Sequence, residues 1–123
     1  MSDSSLDPIW VDLTVTNAPG VRDFYADMLG WKPMPVSMGE YEDFAMESEG
    51  QVVAGICHAR GVNCGLPPVW LPYFRTESLE ESLRICRQRG GCQLTAIRRM
   101  ADTMRYAVIR DPAGAYAVVC EQF

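Results

Sequence analysis

Apolar and polar residues alternate from Trp10 to Val15. Val11, Leu13 and Val15 share one side and Trp10, Asp12 and Thr14 the other, which predicts a strand with two differently used faces. Asn17-Ala18-Pro19-Gly20 follows, supplying a cap and a first-turn proline for a helix. Val21, Phe24, Tyr25, Met28 and Leu29 then recur at helical spacing until Gly30 ends the run. The apolar side of this helix is expected to cover Val11, Leu13 and Val15. Three strands are predicted next, near 31–35, 41–46 and 51–58, separated by Met38-Gly39-Glu40 and Glu47-Ser48-Glu49-Gly50.

Residues 59–68 carry Gly61, Gly65 and the Pro67-Pro68 pair and read as a connector. Beyond it the order recurs. A strand is predicted at 69–74, then a helix over about 77–88 that begins with acids and ends with arginines, as its dipole favours. Gly90-Gly91 stops that helix, and strands near 93–97, 105–109 and 115–120 complete the chain. Arg110-Asp111-Pro112-Ala113-Gly114 joins the last two. An offset of 61 residues places Leu13 on Phe74, Phe24 on Ile85, Tyr25 on Cys86 and Gly30 on Gly91. The pattern repeats while the identities are few. Each half therefore reads βαβββ, an α+β chain built from one module used twice. The first module spans about 8–58, the connector 59–68 and the second module about 69–123, as a single domain of 123 residues.

Composition narrows the function classes. The chain is 48% hydrophobic and 22% charged, as in ordinary globular proteins. The net charge of −5 argues against nucleic-acid binding, which calls for a basic surface. No apolar run reaches membrane-spanning length, and Met1-Ser2-Asp3-Ser4-Ser5 lacks the basic and apolar regions of a signal peptide. A cytoplasmic protein without membrane contact is expected. The five cysteines form an odd set without CxxC spacing and are expected as free thiols. Cys57-His58 with Cys64 matches no zinc motif and lacks an evident fourth ligand.

Phe24-Tyr25, Leu29-Gly30-Trp31 and the late Asp111-Pro112-Ala113-Gly114 turn, at this separation, resemble the vicinal oxygen chelate superfamily. That group includes glyoxalase I, bleomycin- and fosfomycin-resistance proteins and extradiol dioxygenases. The resemblance implies two βαβββ modules whose curved mixed sheets enclose a cavity, with the helices outside. It also implies that metal-using members draw His, Glu or Gln ligands from the first and last strand of each module. Carried onto this chain, those positions fall at Trp10, Ala54, Leu71 and Val118. None offers an imidazole, carboxylate or thiolate, so no metal and no cofactor are expected. The resemblance further implies that two copies pair as a homodimer.

Alternation places Trp10, Asp12 and Thr14 on the cavity face, with Leu71, Tyr73 and Arg75 from the fifth strand. Tyr116, Val118 and Cys120 join from the last strand, and Val52, Ala54, Ile56 and His58 from the fourth. Tyr41 and Phe44 have opposite parity, so one points to the cavity and the other to the helix. A lining of this kind suits a small, aromatic or hydrophobic ligand held by Trp10, Asp12, Tyr41, Leu71, Tyr73, Val118 and Cys120. Asp12 is either a structural carboxylate paired with Arg75 or a backbone amide, or a base or ligand anchor. His58 is the sole histidine and, with Asp12 and Tyr73, the other acid–base candidate. Three readings follow. The leading one is a metal-free small-molecule binding protein. The others are a lyase, isomerase or group-transfer enzyme using Asp12, His58 or Tyr73, and a regulatory subunit in which the module only dimerises.

Overall fold

In the computed structural model, residues 10–123 are described. The first residues of the predicted first module and the Met1–Ser5 leader reading lie outside them. The chain forms two compact units, Trp10–Trp70 and a second that contains Leu71–Phe123. The described residues hold nine strands and two α-helices, an α+β architecture with mixed sheets.

The first unit contains β1 (Trp10–Val15), α1 (Ala18–Leu29), β2 (Lys32–Ser37), β3 (Glu42–Ser48) and β4 (Gln51–His58). Its sheet runs β2-β3-β4-β1, with β1 parallel to β4 and the other pairs antiparallel. Pro33 and Pro35 lie in β2, an edge strand of this sheet, where a missing N–H is tolerated and further pairing is discouraged. Asn17 Oδ1 accepts from the Gly20 amide at 3.1 Å and caps α1, while Gly30 ends it at φ +73°, donating to the Ala26 carbonyl. The face of α1 that packs is only partly the expected one, since Val21 and Tyr25 pack beside Val11 and Val15 as predicted. Ala18, Val21, Tyr25 and Ala26 meet the sheet, whereas Phe24, Met28 and Leu29 are exposed. Tyr25 also stacks on Trp31 and accepts a 3.0 Å hydrogen bond from the Trp70 indole. Trp70 thus serves the helix side of the first unit.

The second unit contains β5 (Leu71–Arg75), α2 (Leu79–Gln88), β6 (Cys92–Gln93), β7 (Arg98–Met100), β8 (Met104–Arg110) and β9 (Tyr116–Gln122). Its sheet runs β5-β9-β8-β6, with β7 also on β8. One predicted strand, 93–97, is instead two short ones. Gln93 pairs with Ile109 and Arg98 with Tyr106, so the segment between them carries two more residues than the facing stretch of β8. Thr95 fills the gap, its Oγ1 accepting from the Val108 amide at 3.0 Å where a ladder carbonyl would normally serve. Ser78 caps α2, and Leu79 and Leu83 pack on Ala107 beside Ile109 and Val119. The left-handed glycine after α2 is Gly90, at φ +93°, one residue earlier than the repeat predicts.

Candidate functional site

Register decides what each sheet offers on the face away from its helix. In the first unit Asp12 lies opposite Gly55 and Thr14 opposite Cys57, while Ala45 lies opposite Gly55 on the other side of β4. Residues paired across strands share a face. The helix-distal face therefore carries Trp10, Asp12 and Thr14 from β1, Val53, Gly55 and Cys57 from β4, and Asp43 and Ala45 from β3. Ala54, Ile56 and His58, expected on this face, instead lie on the helix side, Ala54 and Ile56 in the core under α1 with Phe44 and Met46 and His58 opposite Val15. The reason is physical. The run Val52-Val53-Ala54-Gly55-Ile56-Cys57 is apolar throughout, so its own alternation carries no sign, and only pairing with β1 fixes it.

Gly55 forms the floor. A β-carbon there would collide with Asp12 Oδ1 and stand 3.0 Å from Trp10 Cζ2. The Asp12 carboxylate and the Trp10 indole therefore lie directly across β4, and the indole Nε1–H donates to Asp12 Oδ1. Asp12 is buried, so this bond repays part of its desolvation. Beside this floor the sheet turns apolar and open. Met34 and Val36, which pair with Ala45 and Asp43, and Val53 are all more than a third exposed.

Further along β4 sits a second polar group. Asp43 is buried, and its Oδ1 accepts the His58 backbone amide at 2.9 Å and lies 3.2 Å from His58 Nδ1. Burial, then the charges of Asp12 and Asp43, push the Cys57 thiol well above its usual range, so it stays a neutral S–H. Tyr41 meets the His58 ring edge-on at 5.4 Å, and Arg60 lies over Tyr41 at 4.1 Å. Tyr41 is thus beside His58 at the end of β4, while Phe44 faces the helix side.

In the second unit, Tyr73 pairs with Val118 and Arg75 with Cys120, and β8 places Val108 and Tyr106 opposite the same two β9 residues. Leu71, Tyr73, Val118 and Cys120 are all buried, Val118 and Cys120 completely. Tyr73 packs against Tyr106 with ring centres 5.9 Å apart. The two acid–base candidates of the first unit are not equivalent. Asp12 is engaged by Trp10, whereas His58 has a buried carboxylate behind it.

Sequence reasoning missed Asp43 and Gly55. Both carried a signal. Phe44 and Met46 alternate with Asp43 and Ala45, which already separates the carboxylate from the core, and a glycine inside a strand marks close approach. The metal positions do not fit a metal. Leu71 and Val118 are buried and apolar, Ala54 is in the helix-side core, and Trp10 offers only an N–H donor. Glu121 is taken up by Arg105 and the Leu79 amide. Among the described residues no three His, Cys, Asp or Glu side chains are placed to hold a metal ion.

No family model matches the chain. Among curated proteins it is 29% identical over 113 residues to "Putative glyoxylase CFP32" of Mycobacterium tuberculosis, covering 88% of this chain and 42% of that one. It is 28% identical over 123 residues to the anthracycline biosynthesis protein DnrV of Streptomyces peucetius, covering 88% of this chain and 44% of that one. The chain thus spans less than half the length of these relatives. Among solved structures, methylmalonyl-CoA epimerase from M. tuberculosis superposes with a TM-score of 0.59 at 18% identity, over 98% of this chain and 92% of that one. A glyoxalase/bleomycin resistance protein/dioxygenase superfamily member from Vibrio splendidus gives 0.62 at 12% identity, over 91% and 96%. The chain has the vicinal oxygen chelate fold.

Proposed function

We propose that the chain is a metal-free binding protein for a small, flat, largely apolar aromatic molecule. The ligand lies on the helix-distal face of the first unit's sheet. One observation carries this reading: Gly55 leaves a floor on which Trp10 and Asp12 rest, bordered by exposed Met34, Val36 and Val53. An indole gives a stacking surface, methionine adapts to ligand shape, and a buried carboxylate can orient one donor. The relative named for anthracycline biosynthesis supports a polycyclic aromatic ligand. The acidic net charge disfavours nucleic acid as a partner. A lyase, isomerase or group-transfer enzyme is the second reading, favoured by the Asp43–His58 pair. Two copies of the chain are expected to pair, and a monomer by light scattering at working concentration would count against that.

The test is a thermal-shift and tryptophan-fluorescence titration with planar aromatic compounds. A ligand at a hundred times its Kd stabilises the fold by about 2.7 kcal/mol, a readily measured rise. Trp10→Ala is expected to weaken that binding about tenfold or more. Equal shifts in the parent and the variant would remove Trp10 from the site.

A further inference from the structure

Asp43 Oδ1 gathers two donors from one residue, the His58 backbone N–H and the His58 ring. A carboxylate so placed can only accept, so the ring nitrogen facing it, Nδ1, carries the proton. In the neutral ring the lone pair is then on Nε2. No described residue bonds Nε2, and no buried side-chain N or O of the described residues lacks a partner, so Nε2 is open to solvent. The ring has an aromatic wall in Tyr41, and the exposed Arg60 guanidinium rests on that same wall. Arg22, over Phe44 on the other aromatic neighbour of His58, is already paired with Asp23 at 2.9 Å. Arg60 makes no ion pair among the described residues.

We propose that His58 and Asp43 form a proton-accepting dyad that selects ligands bearing an ionisable hydroxyl, a phenol or an enol. His58 Nε2 takes the proton, and Asp43 is the positioning residue that fixes the tautomer and faces the resulting imidazolium. The ligand O–H bond breaks, the Nε2–H bond forms, and the electron pair stays on the ligand oxygen. The oxyanion forms near the Arg60 cation, so charge is conserved and no co-reactant is needed. The dyad lies at the end of β4, where His58 pairs with Val15 on the helix side, so the inference adds a hydroxyl-binding site beyond the aromatic floor proposed above.

Because His58 is the sole histidine, nitrogen-15 NMR of the intact protein reads its tautomer without ambiguity. At a pH where the ring is neutral, Nδ1 is expected to be protonated and Nε2 bare. The reverse would overturn the dyad without touching the aromatic site. The ligand arm uses 4-nitrophenol, whose phenolate absorbs visibly, beside nitrobenzene, which has no hydroxyl. Binding to the parent protein is expected to raise the phenolate band below the free compound's pKa. His58→Gln is expected to abolish the band and weaken 4-nitrophenol about tenfold while leaving nitrobenzene unchanged. Asp43→Asn keeps an oxygen for the backbone amide and the ring but removes the negative charge that faces the imidazolium, and is expected to weaken the band while nitrobenzene still binds. A band that persists in His58→Gln, or nitrobenzene binding without any 4-nitrophenol preference, overturns the dyad alone. Binding of neither compound overturns both it and the aromatic site.

Discussion

At the scale of single residues, Gly55 has the sharpest consequence. Its absent side chain is what lets the Asp12 carboxylate lie across β4, at the edge of the Trp10 indole that donates to it. Gly55→Val would place branched carbon where Asp12 Oδ1 now sits, forcing the carboxylate out and breaking its bond to Trp10. Overpacking of this kind costs about 1–3 kcal/mol, and the stacking surface is lost with it. Urea unfolding should show a lower midpoint with an unchanged slope, and aromatic ligands should no longer shift the melting point. A variant that keeps full ligand affinity would show that the floor is elsewhere. Thr95 is a second residue whose role is local. With Thr95→Val the buried Val108 N–H loses its acceptor, at a cost of about 1–3 kcal/mol. Amide exchange at Val108 reports that directly, and protection equal to the parent's would deny Thr95 its place in the ladder.

At the scale of elements, α2 is tied to its sheet through charge as well as through Leu79 and Leu83. Arg105 on β8 bonds both Glu80 oxygens, at 2.7 and 2.9 Å, and Glu121 at 3.0 Å, while Glu121 also accepts the Leu79 amide. The Arg105 guanidinium holds the Glu80 carboxyl down to about 2. Its contribution is therefore complete above the unfolded carboxyl's ordinary value near 4.5 and fades as pH falls toward 2. The pair is exposed, so the effect is modest and screened by salt. Glu80→Gln should flatten the fall of melting temperature between those two pH values, most clearly at low salt. An unchanged acid limb would mean that the pair contributes nothing. Elements were also where the sequence spoke most clearly. Asn17 and Gly30 announce α1, and Asp111 with Gly114 announces the β8–β9 turn, whose Asp111 Oδ1 accepts the Ala113 and Ala115 amides. Face assignments were less legible. Phe24 and Met28 look like core by spacing yet are exposed, because a helix of mixed polarity allows more than one packing face. Ala54 and Ile56 were misplaced because an unbroken apolar run hides its own phase. Long-range pairing supplies that information, and it is absent from any local window.

At the scale of the whole molecule, the repeated βαβββ order and the resemblance pointed to the fold, while the chemistry depended on side chains that only register could place. Asp43 and His58 are fifteen residues apart in sequence and meet because β3 and β4 are antiparallel neighbours. The expected absence of a metal belongs at this scale too, since a site of the superfamily kind draws donors from both modules. A divalent ion needs three or four imidazole, carboxylate or thiolate donors converging on one point, with the thiols ionised. Here the positions that the resemblance implies are Trp10, Ala54, Leu71 and Val118, and the carboxylates of Asp12, Asp43 and Glu121 have other partners. Asp12 accepts from Trp10, Asp43 from His58, and Glu121 from Arg105. The Cys57 thiol is held protonated by burial and by its two acidic neighbours. Metal binding would have to break these bonds before forming its own. Purified protein is therefore expected to hold no stoichiometric zinc, nickel, iron or manganese by elemental analysis. Dialysis against a chelator should leave the melting temperature and the affinity for planar aromatics unchanged. One equivalent of a divalent metal, with loss of binding on its removal, would reverse the functional reading while leaving the fold assignment intact.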